Sequence, residues 1–248
     1  MPIQKESSNI MTENYVEEMV RNRRELHRRP EEGWTEFETT WKIVRFLRDL
    51  DLPVTVGRAN LNLDEVLGRD DMLVADAQKR ALAHGVPQSF LDECEGFTGA
   101  VAVLDTGRPG PVTAFRSDID CVLVRESEDA EHPPVKYGFA SERPGLMHAC
   151  GHDGHQAVGM ALADWLAANR DNLSGTVKLL FQPAEEGVRG ARPMAESGIV
   201  DDVDFLYCMH VGCDIPGGEV VVAPEKFLCT TKVDFRFRGT PSHAGMQP

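Results

Sequence analysis

The sequence predicts an α/β domain built on a mixed, mostly parallel sheet flanked by helices. Two observations predict it. Short runs of β-branched and apolar residues, such as TVKLLFQ at 176–182, alternate with amphipathic stretches such as QAVGMALADWLAANRDNLSG from residue 156. The ionisable clusters also fall where those runs end, and open α/β sheets place their ligand sites at strand ends.

From Tyr15 to Leu50 the pattern is helical. Val16, Met19 and Val20, then Trp41, Ile43, Val44, Phe46 and Leu47, supply the apolar positions, and Pro30 divides the stretch in two. Residues 60–95 form a charged, partly helical segment that reads as an insertion on the surface. GAVAVLDTG and PVTAFRSDID predict two strands around a GRPGP turn. The helix from 156 is expected to end at Gly175, followed by TVKLLFQ as a short buried strand. AEEGVRGARPMAESGIV mixes loop and helix, and DFLYCMHVG is a further strand. From about Pro224 the character shifts, and KFLCTTKVDFRFRGTPSHAGMQP reads as one long alternating strand and a turn. An unfinished edge strand invites pairing, so self-association through residues 226–238 is expected.

Composition narrows the function classes. The 248 residues are 42% hydrophobic, enough for one sizeable core. A net charge of −14, from 40 acidic and 26 basic side chains, argues against nucleic acid, whose phosphates need clustered Lys and Arg. The first 29 residues hold no apolar leader segment, and no apolar run approaches the ~20 residues that cross a membrane. The six cysteines (94, 121, 150, 208, 213 and 229) show neither a CxxC pair nor a secreted-scaffold spacing, which fits a reducing cytoplasm.

The chemistry concentrates in LMHACGHDGH at 146–155, which sets three of the eight histidines around Cys150. Asp118 and Asp120 follow VTAF, Glu185 and Glu186 follow VKLLFQP, and His210 closes FLYCM. Thiolate, imidazole and carboxylate together are the ligand set of Zn²⁺, Mn²⁺ or Co²⁺ rather than of Ca²⁺ or Mg²⁺. Adjacent Glu185 and Glu186 point in different directions from an extended chain, so one can bind metal while the other faces a water as general base. A thiolate can also bridge two metals. Each feature has a plainer reading alone. HACGH can be a structural turn, EE a solvated pair and His210 a satisfied core histidine. Asp118 and Asp120 can be turn formers or partners of a ligating histidine. A competing catalytic reading makes Cys150 the nucleophile of a thiol hydrolase, but His152 is only two residues away and the glutamate pair is then left without a task. The coincidence of all the clusters at strand ends favours the metal.

Four segments in order, GLMHACGHDGHQAVGMALA, VKLLFQPAEEGVRGARPM, YCMHVG and FRGTPSHAG, resemble the M20 metallopeptidase family in its amidohydrolase branch. That branch contains hydrolases of hippurate and of auxin–amino acid conjugates. The resemblance implies metal-dependent hydrolysis of the amide bond of an N-acyl or N-aroyl amino acid. It implies two divalent ions, Mn or Zn with Co an alternative, held by Cys150, His152, Glu186 and His210. Glu185 would be the base that activates water at the metals. Asp118 or Asp120 would support the ligands, and His148 and His155 would be helix-start or supporting residues. His243 would help hold the oxyanion from a lid domain, often across a dimer. GFTGAVAVLDTGRPGPVTAFRSDID, YGFAS and the 60–95 segment resemble most the members that act on p-aminobenzoyl-glutamate, which implies a related B subunit as partner or a homodimer.

The implied division is 1–223 as the N-terminal part of a metal-binding catalytic domain and 224–248 as the start of an α+β lid and dimerisation domain. Two departures stand out. DIDCVLV carries Cys121 where the branch has a small residue. The family's chain also continues through a complete lid and returns with one more histidine ligand, whereas this one stops at Pro248. A truncated, non-catalytic chain that binds metal or a partner subunit is therefore the alternative expectation.

Overall fold

The computed structural model describes residues 13–212, 215–222, 233, 235, 236, 238–240 and 245. Two compact units divide the chain, Met1–Asp214 and Ile215–Pro248. Among the described residues of the second unit none lies in a helix or strand. His243 and most of the strand expected at 226–238 lie outside the described residues, and so does the self-association expected of that strand.

The first unit opens with helices α1 (Glu13–Arg28) and α2 (Phe37–Asp49), separated around Pro30 as expected. Phe37, Ile43, Val44 and Leu47 repeat at helical spacing and are wholly buried. Burial of such side chains stabilises the fold by about 1.5–3 kcal/mol each. Strand β1 (Val54–Val56) follows, and then helices α3 (Asp71–Ala83) and α4 (Gln88–Cys94). The expectation of a surface insertion at 60–95 is corrected here. Val74, Ala77, Ala81, Phe90, Leu91 and Cys94 belong to the main core. Of the charged residues between them, Asp76, Lys79, Asp92 and Glu93 are exposed, whereas Arg80 reaches the buried Glu31 at 3.0 Å.

The sheet continues with β2 (Ala100–Asp105) and β3 (Val112–Asp118), and after the short helix α5 (Pro133–Lys136) comes α6 (His152–Ala168). Strand β4 (Thr176–Gln182), the short helix α7 (Ala191–Ala195) and β5 (Phe205–Cys208) complete the unit. The strand order is β1-β2-β4-β3-β5. Pairing is antiparallel for β1–β2 and β2–β4, and parallel for β4–β3 and β3–β5. The sheet is therefore mixed, with its parallel half carrying the strand ends discussed below.

Strands β2 and β3 are consecutive in sequence yet do not pair, because β4 lies between them. The GRPGP segment makes room by bonding to the residue that leads into β4. Gly175 N–H donates to Arg108 C=O at 3.0 Å, and Thr106 N–H donates to Gly175 C=O at 3.2 Å. Gly175 has φ +79°, and a Cβ there would stand 2.2 Å from Pro111 O, so only glycine permits the approach. A parallel β3–β4 pair needs a long crossover, and α6 supplies it. That helix ends at Ala168 rather than Gly175. Asn169 folds its side-chain amide back onto Trp165 C=O at 2.7 Å, and a single tight turn, Arg170–Asn172, follows. Strand β5 is an exposed edge along its whole length. No helix among the described residues is long and apolar enough to cross a membrane.

Candidate metal centre

The parallel strands β4, β3 and β5 all deliver their C-terminal ends to one place. Asp118 closes β3 and Asp120 follows it, Glu185 and Glu186 come just after β4, and His210 lies two residues beyond β5. The fourth contribution is the start of α6. Gly151, at φ +82°, turns the chain into the helix, so His152 is its first residue and Cys150 sits just outside it.

His152 is buried and its orientation is fixed by acceptors on one side. Its Nδ1 lies 2.9 Å from Asp120 C=O and 3.2 Å from Asp120 Oδ1. Both neighbours accept, so Nδ1 carries a proton and Nε2 is the nitrogen turned toward the site. That Nε2 is buried with no hydrogen-bond partner, and so is Glu186 Oε1, 3.9 Å away. Asp118 Oδ2 stands 3.7 Å and Glu185 Oε2 3.8 Å from the same nitrogen. A buried, unpartnered ring nitrogen facing the unpartnered Glu186 Oε1 is costly unless a cation lies between them. Two groups of donor atoms, each within 4.8 Å of one another, surround this point: Cys150, His152 and Glu186, and Asp118, His152, His155 and His210. The mixed S, N and O set fits a divalent transition metal, and His152 belongs to both groups.

The two aspartates divide their tasks, which the sequence left open. Asp120 accepts from His152 through Oδ1 and from the Glu186 N–H through Oδ2 at 2.9 Å, so it orients two ligand candidates at once. Asp118 faces the donor atoms directly. Its Oδ2 accepts from Arg116 at 2.7 Å and its Oδ1 accepts from His155 Nδ1 at 2.6 Å. Burial favours the neutral acid, but the His155 hydrogen bond and the Arg116 charge outweigh it and hold Asp118 below the usual carboxylate range.

His155 lies in the second donor group, yet both its nitrogens are engaged. The Val211 N–H donates to Nε2 at 2.9 Å, which leaves the Nδ1 proton for Asp118. It therefore braces Asp118 and the chain beyond His210. His210 donates from Nδ1 to Val211 C=O at 2.7 Å, which leaves Nε2 free to bind. His148 is buried with neither ring nitrogen partnered, and burial lowers its pKa to about 4. Arg116, which no sequence motif singled out, bonds Gln182 Oε1 at 2.7 Å and comes within 4.0 Å of Glu185 Oε1. Its position on β3 two residues before Asp118, on the same strand face, was the available signal.

The electrostatics agree with a cation site. Burial lowers the His152 imidazole, but the Asp120 hydrogen bond and the surrounding carboxylates outweigh it and raise the group to about 9. Burial raises the half-exposed Glu185 carboxyl more than His152 and Arg116 lower it. Burial and the Glu186 hydrogen bond push the Cys150 thiol up to about 12. A thiol nucleophile needs the opposite shift, so Cys150 is poorly set for thiol catalysis and better suited to lose its proton to a metal.

Fold and donor set together define an α/β domain with a candidate metal centre at the ends of its parallel strands. The profile of peptidase family M20/M25/M40 matches residues 114–245, and the chain belongs to that family. It is 47% identical over 234 residues to a Haemophilus influenzae homolog of one subunit of p-aminobenzoyl-glutamate hydrolase, covering 94% of this chain and 55% of the relative. It is 48% identical over 233 residues to an indole-3-acetyl-aspartic acid hydrolase of Enterobacter agglomerans, covering 93% and 53%. Among solved structures, the aminobenzoyl-glutamate utilization protein of Klebsiella pneumoniae superposes with a TM-score of 0.69 at 40% identity, covering 83% of this chain and 46% of that one. The chain spans about half the length of the curated relatives it matches.

Proposed function

We propose that this chain serves metal-dependent hydrolysis of the amide bond of an N-acyl or N-aroyl amino acid, with p-aminobenzoyl-glutamate as the leading substrate. One observation carries the reading: the unpartnered, buried His152 Nε2 and Glu186 Oε1 face each other beside the half-exposed Glu185. Cys150, His152, Glu186 and His210 would hold two divalent ions, manganese or zinc, with cobalt also suited to the donors. When bound, the metal polarises the carbonyl and makes water acidic enough to react at neutral pH.

The chain's own groups then divide the work. The water oxygen bonds to the amide carbon while Glu185 takes its proton. The C–N bond breaks, and Glu185 returns that proton to the departing nitrogen. Asp120 keeps His152 and Glu186 in place, and Arg116 and His155 keep Asp118 turned toward the site. His243, assigned to the oxyanion by the family resemblance, lies outside the described residues. A released acidic amino acid is supported by the two relatives, whose names give a glutamate and an aspartate conjugate. The first relative is named as one subunit of its hydrolase, which supports a related B subunit as partner, with a homodimer as the other assembly. The cysteine pattern supports a cytoplasmic setting.

The test is hydrolysis of p-aminobenzoyl-glutamate in added Mn²⁺ by the chain and by Glu185→Gln, with metal content measured in both. The reading expects metal in both proteins and turnover in the first alone. Metal without turnover in the unaltered chain would favour a binding role with a partner subunit.

A further inference from the structure

Glu36 lies outside the ligand set, yet it is wholly buried behind it. It occupies the N-cap position of α2 without making a capping bond. Its carboxyl group instead reaches a segment 148 residues away. Oε1 accepts the Ala184 N–H at 2.8 Å, and Oε2 pairs with Thr98 Oγ1 at 2.5 Å.

Ala184 immediately precedes the glutamate pair and has φ +48°, and Val188 just beyond the pair has φ +58°. Residues with a Cβ avoid this left-handed region, and a β-branched residue avoids it most, so the turn must be held from outside. On its carbonyl side Ala184 accepts from Arg189 N–H at 3.2 Å and Gly190 N–H at 2.8 Å. On its amide side it is held by Glu36. The chain around Glu36 lies directly against the turn, since a Cβ on Gly33 would stand 2.9 Å from Ala184 Cα.

We propose that Glu36 is a positioning residue for the Glu185–Glu186 pair: by holding the Ala184 amide it fixes the left-handed turn that directs Glu186 to the metal and leaves Glu185 toward the attacking water. The role rests on the assignment of those two glutamates under the proposed function. Burial and the nearby charge of Asp120 raise the Glu36 carboxyl, so its neutral form suffices and an amide of the same shape should replace it.

The experiment compares the full chain with Glu36→Gln, Glu36→Leu and Glu36→Asp. Gln keeps the acceptor, Leu removes it and leaves the Ala184 N–H and the Thr98 hydroxyl without it, and Asp withdraws it by one methylene. Backbone ¹³C chemical shifts of Ala184 and Val188 read the turn without metal, and titration with Mn²⁺ or Zn²⁺ reads the site. Gln is expected to keep left-handed shifts and an affinity within about threefold of the original, while Leu and Asp lose the left-handed shifts and about 10–100-fold in affinity. If Leu fails to fold, the Asp variant decides. Unchanged shifts and affinity in folded Leu and Asp variants, with only a lowered melting temperature, would show a merely structural role and overturn the proposal. Were the unaltered chain to bind no metal, the ligand assignment would fail, and the shifts alone would still decide whether Glu36 holds the turn.

Discussion

Replacing Asp120 with Asn tests the geometry behind the ligand set. The Asp120 carboxylate accepts two hydrogen bonds, one from His152 Nδ1 and one from the Glu186 N–H, through different oxygens. An amide of the same shape has a single oxygen. Whichever way it turns, its NH₂ must face one of those two donors. The side chain is wholly buried, so water cannot repair the mismatch. Leaving one buried donor unsatisfied costs about 1–3 kcal/mol. That penalty falls on the arrangement that aims His152 Nε2 and Glu186 Oε1 at the same point, so metal affinity should fall by about 5- to 150-fold. The assay is competition for Zn²⁺ or Mn²⁺ against a chromophoric chelator at constant pH, with circular dichroism confirming that the variant is folded. An affinity within about twofold of the original would refute the reasoning, because the Asp120 carbonyl, 2.9 Å from His152 Nδ1, would then hold the imidazole without the carboxylate.

Three further outcomes follow from the same structure. Glu185→Gln should lower turnover by about 10²–10⁴-fold while leaving metal content unchanged, and activity near the original level would remove Glu185 as the base. His27 lies between two carboxylates, with Nδ1 2.8 Å from Asp153 Oδ2 and Nε2 2.9 Å from Glu126 Oε1, and it also feels Arg23. Burial lowers its pKa, but the two carboxylate hydrogen bonds outweigh burial and raise it above its ordinary 6.5. The stability it contributes is thus fully present below that ordinary value and is lost as pH rises through the higher folded-state value. Urea unfolding across neutral to alkaline pH should show this slope, and His27→Gln should flatten it; equal slopes would contradict the bridge. Phe90→Ala should destabilise the fold by about 3–5 kcal/mol in urea unfolding, since Phe90 is a core residue, whereas a change under about 0.5 kcal/mol would restore the surface reading of 60–95.

The elements were legible where a local period carries them. TVKLLFQ and the α2 positions Ile43, Val44 and Leu47 announce a strand and a helix face without help from the rest of the chain. Strand order was not legible, because GRPGP looks the same whether its flanking strands pair or part to admit β4. Burial of α3 was hidden for a related reason. Its inward face is Val74, Ala77 and Ala81, small residues whose burial depends on what approaches them. At the site, residue types in sequence order identified the donor cluster. They could not divide Asp118 from Asp120, because that distinction lies in hydrogen bonds to His152, Glu186 and Arg116. Glu31 and Glu36 were the least visible. In PEEGWTEFE they look like part of a solvated acidic run, yet both are wholly buried and each is held by partners distant in sequence.

Metal stoichiometry of the purified chain and of two variants tests the central claim most directly. His152 belongs to both donor groups, whereas Cys150 belongs to one. Elemental analysis after dialysis against Mn²⁺ or Zn²⁺ should find metal in the original chain, less in Cys150→Ser and none in His152→Ala, with all three folded. Equal metal in the original and His152→Ala, or none in the original, would contradict the account.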